Sequence, residues 1–104
     1  MYSYSTVSEA LNKLSKRGYF YDFNVSPDLQ CLICIGINDN LSPDDFQIDE
    51  IYRFEGTTDP GDEMIVYAIS SIHYKLKGTL VNAYGLYEDG NTSALVEKLK
   101  MATG

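Results

Sequence analysis

Two stretches of this chain, residues 64–72 and 78–87, carry apolar side chains on both of their faces, and this constrains the fold more than any other feature. Met64, Val66, Ala68 and Ile72 fall on one parity, with Ile65, Tyr67 and Ile69 on the other. In the second stretch Val81, Ala83 and Tyr87 stand against Leu80, Tyr84 and Leu86. Successive side chains of a strand point to opposite faces, and an antiparallel sheet with one wet face alternates apolar and polar residues. These stretches do not alternate. The sheet they build must therefore have its second face covered, by a helix, by a second subunit or by a ligand.

The remaining elements follow from changes of hydrophobic period. Thr6 and Glu9 have the spacing of a capping box, and Val7, Ala10, Leu11 and Leu14 form one helical stripe. Basic residues close that helix, and Gly18 stands where a C′ glycine would. From Tyr19 the period becomes alternating, with Tyr19, Tyr21, Phe23 and Val25 on one face. A turn at Ser26-Pro27-Asp28 precedes an apolar strand over 30–37, and Asn38 to Asp45 reads as a loop. A longer strand over 46–56 places Phe46, Ile48, Tyr52 and Phe54 on one side, with Asp49, Arg53 and Glu55 on the other. After the two-sided strands, Asn91 or Thr92 caps a final helix striped by Leu95, Val96 and Leu99.

Strands joined by short turns pair antiparallel. The expected fold is thus α+β: an antiparallel meander of four to five strands flanked by an N-terminal and a C-terminal helix. At 104 residues, with no repeat and no linker-like segment, residues 1–104 read as one domain.

Charge and composition narrow the function. The net charge of −7 opposes nonspecific nucleic-acid binding, which depends on neutralising phosphates. Nine acids and one base, Arg53, fall between Asp39 and Glu63, which reads as solvated acidic loops or as a face for a basic partner. No stretch has the apolar length of a membrane span, and Met1 to Ser5 lacks the pattern of a signal peptide, so a cytoplasmic location is expected.

Catalytic patterns are sparse. Cys31 and Cys34 match C-x-x-C, but inside a strand their thiols point to opposite faces and pack as small apolar groups. Structural zinc needs four ligands, and the chain has one histidine, so no metal or cofactor is expected. That histidine, His73, sits at a strand end beside Tyr74 and Lys75 and is a weak acid/base candidate, as is Glu55. There is no G-x-S-x-G elbow, no glycine-rich phosphate loop and no EF-hand spacing. Nine tyrosines against four phenylalanines give flat contact surface with polar ends. Tyr52, Arg53, Tyr67, Asn82 and Tyr84 fall on neighbouring expected strands and form a candidate ligand or partner face.

Asp49-Glu50-Ile51-Tyr52-Arg53-Phe54-Glu55-Gly56, Tyr67-Ala68-Ile69-Ser70-Ser71, Lys77 to Gly85 and the opening Tyr4 to Ala10 together resemble a family of small, uncharacterised proteins from Bacteroidetes. Members often carry the name phosphoribosylpyrophosphate synthetase, which implies a phosphoribosyl-type ligand. The ribose-phosphate loop of such synthetases sets two acids ahead of a Thr-Gly cluster. Here Asp44-Asp45 runs into Phe46-Gln47-Ile48, which offers no phosphate cradle.

Two functions are carried forward. The first is a non-enzymatic binding or regulatory module that pairs with itself or a protein partner through its second sheet face. The second is a small enzyme or metabolite-binding protein for an anionic ligand, with Arg53 on the anion, His73 or Glu55 as acid/base, and Tyr52 and Tyr84 lining the site. Convergence of Arg53, Glu55, Tyr67 and His73 on one pocket separates the two.

Overall fold

The computed structural model describes residues 4–28, 30–37, 39–54, 64–83 and 93–102. In chain order these form α1 (Val7–Lys16), β1 (Tyr21–Val25), β2 (Leu32–Cys34), β3 (Asn40–Leu41), a single 3-10 turn (Pro43–Asp45), β4 (Gln47–Phe54), β5 (Met64–Ser71), β6 (Leu76–Ala83) and α2 (Ala94–Ala102). The α+β class holds. The sheet, however, has six strands in the order β3-β2-β1-β6-β5-β4, and it is mixed.

The departure from a pure meander lies at its centre, where β1 runs parallel to β6 with Tyr21 opposite Gly78 and Phe23 opposite Leu80. All other neighbours are antiparallel. A parallel pair needs a long crossover, and here the whole of β2 to β5 supplies it. Gly78 permits the close approach: a Cβ there would lie 2.3 Å from the carbonyl oxygen of Tyr21 and 2.7 Å from the Phe23 ring.

The sheet must also curl. Strands β3 and β4 occupy opposite edges, which a flat six-stranded sheet sets about 24 Å apart. The chain from Leu41 to Gln47 can span about 21 Å at most. The curled sheet encloses a core of Phe23, Leu32, Leu41, Phe46, Ile65, Tyr67, Ile69 and Leu80, into which α2 inserts Leu95 and Leu99. At the start of α2, Ser93 Oγ accepts the Val96 amide proton at 3.2 Å. Asn91 and Thr92 lie outside the described residues. From α2, the Lys98 ammonium donates to the carbonyls of Pro43 and Phe46 and sits 4.2 Å from the Phe46 ring centroid, pinning the helix to the link between β3 and β4.

The opposite face of β5 belongs to α1. Leu14 packs with Tyr19, Tyr52, Val66 and Ala68, and Tyr4, Val7, Leu11 and Val81 close around them. The α1 boundaries follow the sequence signals: Thr6 Oγ1 accepts from the Glu9 amide at 3.1 Å. At the other end, Tyr19 N–H reaches Leu14 O and Gly18 N–H reaches Ser15 O, with Gly18 at φ +106°. That is a Schellman stop, and it requires the left-handed conformation glycine adopts freely. The two apolar faces of β5 are therefore explained by two helices, one on each side.

Candidate functional site

An irregularity in β4 builds the site. The β4–β5 register shifts between Ile48, opposite Ile69, and Glu50, opposite Ala68, leaving Asp49 as an extra residue. Such a bulge changes which side the following residues face. Ile48 consequently lies on the α2 side, whereas Tyr52, opposite Val66, lies on the α1 side. Arg53, opposite Ile65, faces the α2 side, so the expected grouping of Asp49 with Arg53 on one face does not form. Instead Asp49 and Glu50 both turn toward α1, and both meet residues of its C-terminal region.

These neighbouring acids have different fates. Glu50 accepts two hydrogen bonds from the Arg17 guanidinium, one of them at 2.9 Å, and a third from the Tyr52 hydroxyl. Tyr4 Oη accepts a further Arg17 N–H at 3.3 Å. With the two charged side chains only 28% and 15% exposed, this is a fork-to-fork ion pair at the rim of the core. Arg17 holds the Glu50 carboxyl below its usual range. Burial, reinforced by the bond to Glu50, pushes the Tyr52 phenol up to about 12. Asp49 remains exposed and accepts from the Tyr19 hydroxyl at 2.8 Å and from Ser70 Oγ at 3.1 Å. Burial first, and Asp49 second, push the Tyr19 phenol up to about 12. Gln47 Nε2 donates to Ser70 Oγ at 3.2 Å, which fixes the hydroxyl proton toward Asp49.

Asp49, Gln47 and Ser70 line a cleft of about 590 Å³ at the end of the sheet where α1 runs into β1. The turn between β5 and β6 supplies Ile72 and Lys75, and β6 supplies Lys77. Lys75 adopts φ +57°, an uncommon conformation for a residue with a side chain. The Lys77 ammonium lies 5.2 Å from the Tyr19 ring centroid. Phe20 and Ile72, 63% and 81% exposed, form the lip. No ion pair with a described residue neutralises Asp49, Lys75 or Lys77. A second hollow of about 380 Å³ shares Gln47, Ser70 and Ile72 with the cleft and adds Asp44, Asp45 and His73.

Comparison with family models, with curated proteins and with solved structures gives no match for this chain.

Of the residues expected from the sequence, Arg53, Tyr67 and Asn82 come together on the α2 side. Arg53 and Asn82 flank Ile65 in one row, and Tyr67 lies one row along. Tyr67 is buried in the core there, and Tyr52 is buried on the opposite face. His73 lies in the turn beyond Ser71, and Ser71, the last residue of β5, is itself six residues or about 20 Å along the strand from Ile65 in the row of Arg53. Arg53, Tyr67 and His73 therefore do not share a pocket. Glu55 and Tyr84 lie outside the described residues. Cys34 is buried in the α2-side core, where burial raises its thiol pKa, and Cys31 stands half-buried before β2. Among the described residues, no group of three or more His, Cys, Asp or Glu is placed to hold a metal ion, and no helix is long and apolar enough to cross a membrane.

Phe20, Lys75 and Lys77 escape a sequence reading because β1–β6 pairing and a turn bring them together. One trace exists. Phe20 is a large apolar residue on the parity that β1 otherwise gives to Asp22 and Asn24.

Proposed function

We propose that this chain is a small, non-enzymatic binding module that holds a compact ligand in the cleft between the end of α1 and the β5–β6 turn. One observation carries the reading: two large apolar side chains stand exposed at the lip of a concavity whose charged groups have no ion-pair partner among the described residues. Ligand sites combine apolar walls with a few fixed polar groups, at volumes of about 300–1,000 Å³, and about 590 Å³ falls within that range. Pairing through the apolar faces of β5 and β6 loses its motive, because α1 and α2 occupy those faces.

A metabolite-binding or enzymatic reading on an anionic ligand draws support from Lys75 and Lys77 at the cleft. The separation of Arg53 and Tyr67 from His73 weighs against the catalytic arrangement expected from the sequence.

An amide NMR titration of labelled protein tests the proposal, with molecular mass measured at two concentrations. The panel holds nucleotides, ribose 5-phosphate, phosphoribosylpyrophosphate, amino acids and simple carboxylates. The module predicts shifts clustered at Gly18, Phe20, Ser70 and Lys77, with a mass that stays constant. A silent cleft with a mass that doubles on concentration would replace it with a self-associating domain.

A further inference from the structure

We infer that the ligand of this cleft is a small zwitterion with an apolar body, a free apolar amino acid or a short apolar peptide, an inference that rests on the binding reading above. Charge complementarity selects it. Asp49 accepts two hydrogen bonds, one on each carboxylate oxygen, from Tyr19 and Ser70. An ionised carboxylate offers about four acceptor positions, so capacity for an ammonium group remains. The two bonds also hold its orientation, since Ser70 is itself held by Gln47. Glu50, the adjacent acid, is spent on Arg17 and Tyr52, and it is the bulge that leaves Asp49 facing the cleft.

The opposite charge comes from the other wall. Lys75 and Lys77 line the same cleft, and Lys77 runs beside the ring of Tyr19, whose hydroxyl donates to Asp49. A plain anion would satisfy the lysines but meet the Asp49 carboxylate. A plain cation would satisfy Asp49 and meet two ammonium groups. Juxtaposed like charges reject a partner strongly. A ligand carrying both charges satisfies both walls, and an apolar body beside them covers Phe20, Ile72 and Leu76.

The test is an amide-shift titration with L-leucine, L-phenylalanine and leucyl-leucine, beside N-acetyl-leucine, leucine amide and ribose 5-phosphate. The zwitterions should shift Gly18, Phe20, Ser70 and Lys77, and the two blocked forms should bind at least about tenfold more weakly, because each leaves one charged wall unpaired. Stronger binding of leucyl-leucine than of leucine would assign the source as peptide, and the reverse as free amino acid. Asp49→Asn, which removes the charge and keeps one acceptor oxygen for either Tyr19 or Ser70, should weaken leucine but not N-acetyl-leucine. Lys77→Gln should weaken leucine but not leucine amide. An unchanged amide spectrum outside the cleft verifies that each variant folds. N-acetyl-leucine or ribose 5-phosphate binding at these amides as tightly as leucine would overturn the zwitterion and leave the binding module standing. No response to any zwitterion would overturn the inference outright, and no response to any compound, with a mass that doubles on concentration, would overturn the module as well.

Discussion

The two halves of the sheet are finished differently. In the half made of β4, β5 and β6, the central strand is buried almost end to end, with α1 on one side and the α2 core on the other. In the half made of β1, β2 and β3, only one side is buried: Phe23, Leu32, Cys34 and Leu41 face the core, while Asp22, Asn24 and Asn40 face outward. The first half behaves as the middle layer of a sandwich and the second as an ordinary one-sided sheet. An apolar pattern on both parities of a strand thus records how many layers cover it, and here the covering layers come from the same chain. The cleft lies toward the boundary between the halves, drawing Phe20 and Tyr21 from one and Ser70 and Lys77 from the other.

The joint between the halves is the sharpest place to break this comparison. Gly78→Ala sets a methyl group against backbone on the partner strand and should cost about 3 kcal/mol in a urea unfolding experiment. Wild-type stability in that variant would mean β1 and β6 do not pair as described.

Sealing of both faces of β5 is tested by core truncation. Leu14→Ala and Leu99→Ala should each lose about 2–5 kcal/mol, because both leucines are fully buried on opposite sides of the sheet. Asn24→Ala, on the open face of β1, should stay within about 0.5 kcal/mol of wild type. If Leu14→Ala proved as mild as Asn24→Ala, α1 would not be a structural layer.

How much of this was legible in the residues varies by interaction range. The ends of α1 were written locally, in Thr6, Glu9 and Gly18. Coverage of both faces of β5 was legible as well, though not the identity of the cover. The parallel β1–β6 pair was not, because it depends on residues more than fifty positions apart, and Gly78 within a strand is its one local mark. The bulge at Asp49 was nearly invisible. By parity the even-numbered series Phe46, Ile48, Tyr52 and Phe54 shares a face, and only the interruption at Glu50 hints that the phase slips. The cleft, assembled from α1, β1, β4 and a turn, has no continuous sequence signature.

Smaller effects sharpen the α1 side. Glu50→Gln removes the charge that holds Arg17 at the rim of β4 and should cost about 1–2 kcal/mol near neutral pH. Because the folded-state pKa of Glu50 is lowered, its contribution is present above the unfolded carboxyl value of about 4.3 and is lost as pH falls through the folded value. The gap between wild type and Glu50→Gln should therefore narrow in unfolding curves recorded below about pH 4, and a gap independent of pH would argue against the ion pair. Thr6→Ala, which removes the α1 cap, should cost about 1 kcal/mol by thermal unfolding.

The measurement that bears most directly on the account is a methyl-resolved nuclear Overhauser spectrum of dilute protein. Two separate contact networks are predicted: Leu14 with Val66 and Ala68, and Leu95 and Leu99 within the cluster holding Ile65, Ile69 and Leu80. Both should persist unchanged on further dilution. Contacts from Leu99 to Val66 or Ala68, or a network that vanishes as the protein is diluted, would show that the two faces are not sealed by the chain's own helices.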